Sequence, residues 1–114
     1  MHEVGIMQNT LDIAIAQAKQ NGAATIDCLT LKIGQLSGVI PEALEFAFEV
    51  LTQGTMAENA QLEIETIPVV CHCPNCDRLF QPEAYIYQCP SCQQISSDIV
   101  QGKELDLVSV VVSS

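Results

Sequence analysis

Four cysteines occur as two Cys-x-x-Cys pairs, a spacing that is typical of a metal site. The pairs are Cys73 with Cys76 and Cys89 with Cys92, and 12 residues separate them. Each pair can turn both sulfur atoms toward one point, so that two pairs form a closed tetrahedral site that zinc favours. Because a closed shell of four thiolates leaves no open position for a water ligand, the pattern predicts structural zinc rather than catalysis.

Other interpretations of the four cysteines remain open from spacing alone. Iron in a rubredoxin-like electron-transfer site uses the same ligands, although ligand softness favours zinc. Paired disulfides are disfavoured if the compartment is reducing. A zinc ribbon that binds nucleic acid is disfavoured by the charge of the chain. Four thiolates and one Zn²⁺ together carry net negative charge, which would add to that of an already acidic protein.

Composition restricts the function further. The chain has 114 residues, the size of a single domain, with 48% hydrophobic and 16% charged residues, which excludes a disordered acidic tail. Lys and Arg total 4 against 14 Asp and Glu, for a formal net charge of −10, so neither nucleic acid nor an anionic membrane is expected as a partner. The first residues lack a secretory signal, and no apolar run approaches the roughly 20 residues of a membrane span. We therefore expect a cytoplasmic protein with reduced thiols.

The first three residues, Met1-His2-Glu3, form a second candidate metal site. The α-amine, the peptide nitrogen of His2 and the His2 imidazole could form fused chelate rings around one ion. Nitrogen-rich square-planar coordination suits Ni(II) or Cu(II). Glu3 could add a peptide nitrogen or a carboxylate oxygen. The motif is short, and the plain alternative is a solvated terminal histidine.

The spacing of apolar residues predicts the helices and strands that position the two candidate metal sites. Residues 4–20 predict an amphipathic helix, and residues 25–33 and 61–67 predict strands. The face of the first helix is expected to consist of these residues: Val4, Met7, Leu11, Ala14, Ala18 and, at its margin, Ile15. Pro41 is suited to the start of a second helix over residues 42–53, whose many apolar residues predict burial on most sides.

Together these elements predict an α+β fold, with two helices packed on a three-stranded sheet and a small inserted zinc-knuckle module. Residues 1–68 and 99–114 would form a discontinuous α+β domain that carries the candidate site at residues 1–3, and residues 69–98 the four-cysteine insert. Residues 104–112 supply the last strand, in which the run Val110-Val111-Val112 suggests a bulge or burial on both faces. Cys28 is expected to be a small buried hydrophobe. Cys71 and His72 are expected to be a strand-end cysteine and a surface histidine, with exchange into the zinc shell as the alternative.

In combination, these motifs closely resemble the HypA/HybF family of nickel-incorporation proteins for [NiFe]-hydrogenase maturation, over essentially the whole chain. The motifs are Met1-His2-Glu3, Ile33-Gly34-Gln35-Leu36-Ser37-Gly38-Val39, Pro41-Glu42-Ala43-Leu44-Glu45-Phe46-Ala47-Phe48, the two Cys-Pro-x-Cys sequences and Gly102-Lys103-Glu104-Leu105.

The resemblance implies a nickel metallochaperone and not an enzyme, with no catalytic residues. Nickel would bind at His2 assisted by Met1 and Glu3, and structural zinc would bind at the four cysteines of the two pairs. The implied partners are the nickel-binding GTPase HypB and the hydrogenase large subunit, and a homodimer is possible. The sequence departs from the usual pattern in two ways: Asp77 and Gln93 follow the knuckles where glycine is common, and Ile40 replaces an acid found in some relatives, which leaves Glu42 as a weak candidate ligand.

Overall fold

The structure, a computed structural model, describes residues 2–83 and 86–114. Its elements in chain order are α1 (His2–Gln20), β1 (Thr25–Gly34), α2 (Pro41–Leu51), β2 (Gln61–Ile67), β3 (Val70–Cys73), β4 (Arg78–Phe80), β5 (Ile99–Gln101) and β6 (Leu105–Ser113). The strands form two three-stranded sheets, ordered β2-β1-β6 and β4-β3-β5. Within these ranges neither helix combines the length and the apolar character that crossing a membrane requires.

The first sheet confirms the predicted α+β core. β1 lies in the middle, parallel to β2 and antiparallel to β6, so the last strand does return to this sheet after the cysteine-rich segment. The predicted inward residues of β1, Leu29, Leu31 and Ile33, are all buried. They share one apolar core with the buried faces of α1 and α2.

The buried face of α1 differs from the prediction at its first position. Val4 is 43% exposed, and Glu3 is buried in its place, ahead of Met7, Leu11 and Ala14. The buried face of α1 therefore begins at residue 3 and not at residue 4. The pattern of apolar residues could not indicate this, because the first inward position is a glutamate.

The expectation that α2 is buried on most sides is wrong. Only Leu44, Ala47 and Phe48 are buried, whereas Phe46 is 68% exposed and Val50 is 49% exposed. Pro41 does occupy the start of the helix, as predicted. Because α1 and β2 pack against one side of α2, the large apolar side chains on its other side have no packing partner among the described residues.

The structure of β6 tests the two explanations offered for the run Val110-Val111-Val112, a bulge or burial on both faces. The register between β1 and β6 shifts twice, because Asp27 of β1 and Val108 of β6 have no partner across the ladder. An irregularity is therefore present in β6, but it lies at Val108 and not in the predicted run Val110-Val111-Val112. Burial on both faces is wrong, since Val111 is 52% and Val112 37% exposed.

The second sheet is a feature that the sequence did not predict. β3 pairs with β4 and β5 in antiparallel register, and a separate small core surrounds the cysteines. Each of these strands has only three or four residues, too few for a clear period of two. β5 (Ile99–Gln101) belongs to this second sheet, whereas the predicted insert extends over residues 69–98; the division into two domains stays a prediction.

The crossing between the two sheets is a close backbone contact. A Cβ atom on Gly34 would lie 2.1 Å from the carbonyl oxygen of Gly102, and one on Gly102 would lie 2.9 Å from Val69 Cα. The Leu36 N–H donates to Gly102 O at 2.7 Å, and the Val69 N–H donates to Gln35 Oε1 at 3.1 Å. The loop after β1 thus lies between two segments of the chain: the one that leads into the second sheet at Val69 and the one that leaves it at Gly102.

Candidate metal centres

The four paired cysteines come together as one cluster. Their sulfur atoms all lie within 4.8 Å of one another, and Cys73 Sγ is 3.6 Å from Cys92 Sγ. Four ligands placed about 2.3 Å from a central zinc are separated by about 3.8 Å in a tetrahedron, so the residues fit the ion. Among residues 2–83 and 86–114 no other group of three or more His, Cys, Asp or Glu side chains has such proximity.

Both knuckles adopt the turn for which glycine is ordinarily used. Asp77 has φ +52° and Gln93 has φ +62°, both in the left-handed region. The Asp77 N–H donates to Cys73 O at 2.7 Å, and the Gln93 N–H donates to Cys89 O at 2.8 Å. The absence of glycine after each pair therefore does not alter the knuckle turn, and Asp77 and Gln93 adopt a conformation that L residues rarely occupy.

Backbone donors prepare part of the cluster to be anionic. The backbone N–H of Gln94 is the main cause that lowers the pKa of Cys92 to about 6, and the N–H of Cys92 is the main cause that lowers the pKa of Cys89. A hydrogen bond to Cys92, together with burial, raises the pKa of Cys76 to about 12. The backbone N–H groups thus favour the thiolate forms of Cys89 and Cys92, which are the forms that bind a metal ion.

Cys71 and His72 lie beside the cluster and outside it. Cys71 is fully buried within β3, and burial raises the pKa of its thiol. His72 Nε2 lies 2.9 Å from Asp77 Oδ1, and His72 Nδ1 lies 3.1 Å from Asp98 Oδ2. The hydrogen bonds to Asp77 and then to Asp98 raise the pKa of His72. Since both ring nitrogens are engaged, His72 connects the first knuckle to the segment that precedes β5. Cys28, expected to be buried, is half-buried in β1.

At the other candidate site, His2 and Glu3 begin α1 side by side. The His2 side chain is 61% exposed, and its Nε2 atom lies 3.4 Å from Glu3 Oε2. Two donors that each lie about 2 Å from one ion cannot be more than about 4 Å apart, so this separation is compatible with a shared ion. Met1, the third residue expected here, lies outside the described residues.

The Glu3 carboxylate also closes the start of the second helix. Oε2 accepts a hydrogen bond of 3.1 Å from the backbone N–H of Ile40, and this bond is the main cause that lowers the pKa of Glu3. Ile40 is the N-cap of α2 and supplies no side-chain cap. In a capping box, a glutamate at the third helical position accepts this N–H, but that position is Ala43 here, and Glu3 of α1 takes the role. Glu42, by contrast, is exposed in the first turn of α2.

Sequence reasoning missed this contact between the two helices. It joins residues 37 positions apart, and no local pattern indicates it. Two features of the sequence together could have indicated it: the N-cap of α2, Ile40, has no polar side chain, and Glu3 lies four residues before Met7 on the buried face of α1.

Comparison with known proteins identifies the family. Residues 1–112 match the profile described as HypA, hydrogenase/urease nickel incorporation, metallochaperone. The hydrogenase maturation factor HypA of a Picosynechococcus species is 53% identical over 112 residues, covering 98% of this chain and 99% of the relative. The HypA of Geobacter sulfurreducens is 42% identical over 105 residues, covering 92% of this chain and 93% of the relative.

Two solved structures have the same fold. The solution structure of the Ni metallochaperone HypA from Helicobacter pylori has a TM-score of 0.67 at 26% identity, covering 98% of this chain and 97% of that one. A second solution structure, of a HypA protein, has a TM-score of 0.70 at 28% identity, covering 98% and 96% of the two chains. The chain therefore belongs to the HypA family of nickel-incorporation metallochaperones, which act in hydrogenase maturation.

Proposed function

We propose that this chain binds Ni(II) at Met1, His2 and Glu3 and delivers it to the large subunit of a [NiFe]-hydrogenase during maturation. The zinc held by Cys73, Cys76, Cys89 and Cys92 would be structural and would stay with the chain. The observation that carries this proposal is the exposed His2 imidazole, 61% accessible, next to the carboxylate of Glu3.

An accessible nitrogen site suits a cargo ion. An acceptor protein can approach His2 directly and replace its ligands one at a time, through an intermediate in which both proteins bind the ion. The soft thiolates of the cluster suit Zn(II), whereas an imidazole and amine nitrogens suit Ni(II). The chemistry of the two donor sets therefore supports a division of the two metals between the two sites.

The proposed role of zinc is to stabilise the second sheet. The small core around the cysteines contains few large apolar side chains, with Val69 and Phe80 as its buried members besides the cysteines. A core of this size cannot offset the conformational entropy of some thirty residues, so metal binding is expected to supply the folding free energy. An iron site with the same ligands would be red, and a zinc site is colourless, so absorption of the purified protein distinguishes them.

Delivery would require proteins that recognise the loaded chain. The GTPase HypB and the hydrogenase large subunit are the proposed partners, as the family assignment to hydrogenase maturation supports. The net charge of −10 would raise the association rate with a basic partner surface more than the final affinity.

The test is calorimetric titration of Ni(II) into the zinc-loaded wild-type chain and three variants of it. Replacing His2→Ala, or adding one residue before Met1, is expected to abolish nickel binding while zinc content and circular dichroism stay unchanged. His72→Ala is the matched control, because it removes the other histidine of the chain and is expected to retain nickel binding. Equal nickel stoichiometry in the wild-type and His2→Ala proteins would contradict the proposal.

A further inference from the structure

The exposed side of α2 carries an apolar ridge that the fold does not use. Phe46, 68% exposed, and Val50, 49% exposed, lie one helical turn apart on the same side. Ile40, directly before the helix, is 58% exposed. A large exposed patch of this kind on a small protein is more often an interaction site than a neutral surface.

Three acids lie beside this ridge and have no cation to balance them. Glu42, Glu45 and Glu49 are exposed, and α2 contains no basic residue. None of the three carboxylates forms a hydrogen bond or an ion pair with another residue in the ranges 2–83 and 86–114. Glu45 and Glu49 are four residues apart, where like charges destabilise a helix by about 0.2–0.5 kcal/mol. Among the described residues, no cation offsets the repulsion between Glu45 and Glu49.

We propose that this face, defined as Ile40, Glu42, Glu45, Phe46, Glu49 and Val50, docks a partner segment in which lysine or arginine side chains lie next to apolar ones. Such a segment would cover Phe46 and Val50 and would pair with the three carboxylates. This inference rests on the proposed function, since it names the surface by which a nickel acceptor or a helper protein would bind. A second copy of the chain is disfavoured as the occupant, because two acidic helices of a chain with net charge −10 would repel each other.

The position of the docking face supports its link to nickel. Ile40 donates its N–H to Glu3, next to His2, so the face begins at the proposed cargo site. With a rise of 1.5 Å per residue, Phe46 lies about 9 Å and Val50 about 15 Å along the helix from Ile40. A segment bound on α2 would therefore place the rest of its protein within side-chain reach of His2.

The experiment measures binding of the full zinc- and nickel-loaded chain to the purified large-subunit precursor and to the purified GTPase, at several salt concentrations. The wild-type chain is expected to bind at least one of them, more weakly as salt screens the carboxylates. Phe46→Ser with Val50→Ser, and separately Glu45→Lys with Glu49→Lys, are expected to weaken that binding about tenfold or more. The matched control is Val108→Ser with Val111→Ser on β6, which are 50% and 52% exposed, and it is expected to bind as the wild type does.

Nickel stoichiometry of every variant is measured separately by calorimetry and is expected to be unchanged. Wild-type affinity in both α2 variants, or failure of the wild-type chain to bind either protein, would overturn the docking face whether or not His2 binds nickel. A dimer of the wild-type chain in light scattering that is lost in the Phe46→Ser variant would also overturn it, by making a second copy the occupant. Loss of nickel binding at His2 tests the proposed function instead.

Discussion

The two candidate metal sites of this chain differ in enclosure. The four thiols lie within 4.8 Å of one another, and two of them, Cys73 and Cys89, are fully buried. The His2 side chain is 61% exposed. A closed set of four ligands gives a competing protein no point of attack, whereas an open set exchanges readily. This difference in enclosure is what the proposed division between a retained zinc and a released nickel requires.

The two regions also differ in how far along the chain their contacts extend. Each knuckle is closed by a hydrogen bond over four residues, from the N–H of Asp77 to Cys73 O and from the N–H of Gln93 to Cys89 O. The open site depends on the bond from Ile40 to Glu3, which joins two helices. The turn of each knuckle is therefore a local structure, whereas the position of the Glu3 carboxylate depends on the contact between two helices.

The largest expected effect comes from opening the thiolate site. Cys76→Ser removes one of four zinc ligands, and structural zinc contributes about 10–16 kcal/mol of apparent binding free energy to such segments. We expect loss of zinc and unfolding of the second sheet, with the helices of the first core retained. Arg78 is the only Lys or Arg between Lys32 and Lys103, so trypsin cleavage after Arg78 measures unfolding of this segment directly.

Cys28→Ser is the control for that variant, because Cys28 lies in β1, outside the cluster. It is expected to retain zinc and to resist trypsin as the wild type does. If Cys76→Ser resists cleavage at Arg78 as well as Cys28→Ser does, zinc does not stabilise the second sheet.

The second prediction concerns the crossing that joins the two regions. Gly34→Ala would place a Cβ atom 2.1 Å from Gly102 O, so the backbone must move, and we expect a loss of about 3 kcal/mol in urea unfolding. Zinc should be retained because the turn of each knuckle is local, and nickel should bind more weakly because the displaced loop leads to Ile40. Gly5→Ala is the control: a Cβ atom there meets nothing within 4 Å, and alanine in a helix should add up to about 1 kcal/mol of stability. Equal stability of the two variants would show that the crossing is not rigid.

The sequence could predict features that depend on neighbouring residues, but not features that depend on contacts between distant parts of the chain. The Cys-x-x-Cys pairs, Pro41 at the start of α2 and the alternation in β1 are local signals, and the structure agrees with each. The burial of Glu3 and the exposure of Phe46 depend on which faces of α1 and α2 meet, and no periodicity within one helix determines that. The short strands β3, β4 and β5 have only three or four residues each, so neither propensity nor periodicity could indicate them.

The third prediction uses acid to separate the two regions. The folded-state pKa of Glu3 is lowered from its ordinary value of 4.5, so its ionised form contributes stability at higher pH, and this contribution is lost as the pH falls from about 4.5 through the lowered pKa. Glu3→Gln can still accept the Ile40 N–H but has no charge. We expect its melting temperature to be a few degrees lower at neutral pH and the difference from the wild type to shrink on acidification, measured by circular dichroism. A difference that stays constant from pH 6 to pH 3 would mean that the charge of Glu3 does not stabilise this site.

The smallest expected effect tests whether the thiolate site is strained by its own turns. Gln93 has φ +62°, which costs a residue with a Cβ atom about 1–2 kcal/mol, partly offset in Gln93→Gly by the greater backbone entropy of unfolded glycine. We expect Gln93→Gly to stabilise the second sheet by up to about 1 kcal/mol, seen as slower trypsin cleavage after Arg78. Asp77→Gly relieves the same kind of strain but removes the hydrogen bond to His72, so it should bring no gain. If Gln93→Gly instead accelerates cleavage, the Gln93 side chain, through its hydrogen bond of 3.4 Å to Pro90 O, stabilises the second knuckle more than its backbone strain destabilises it.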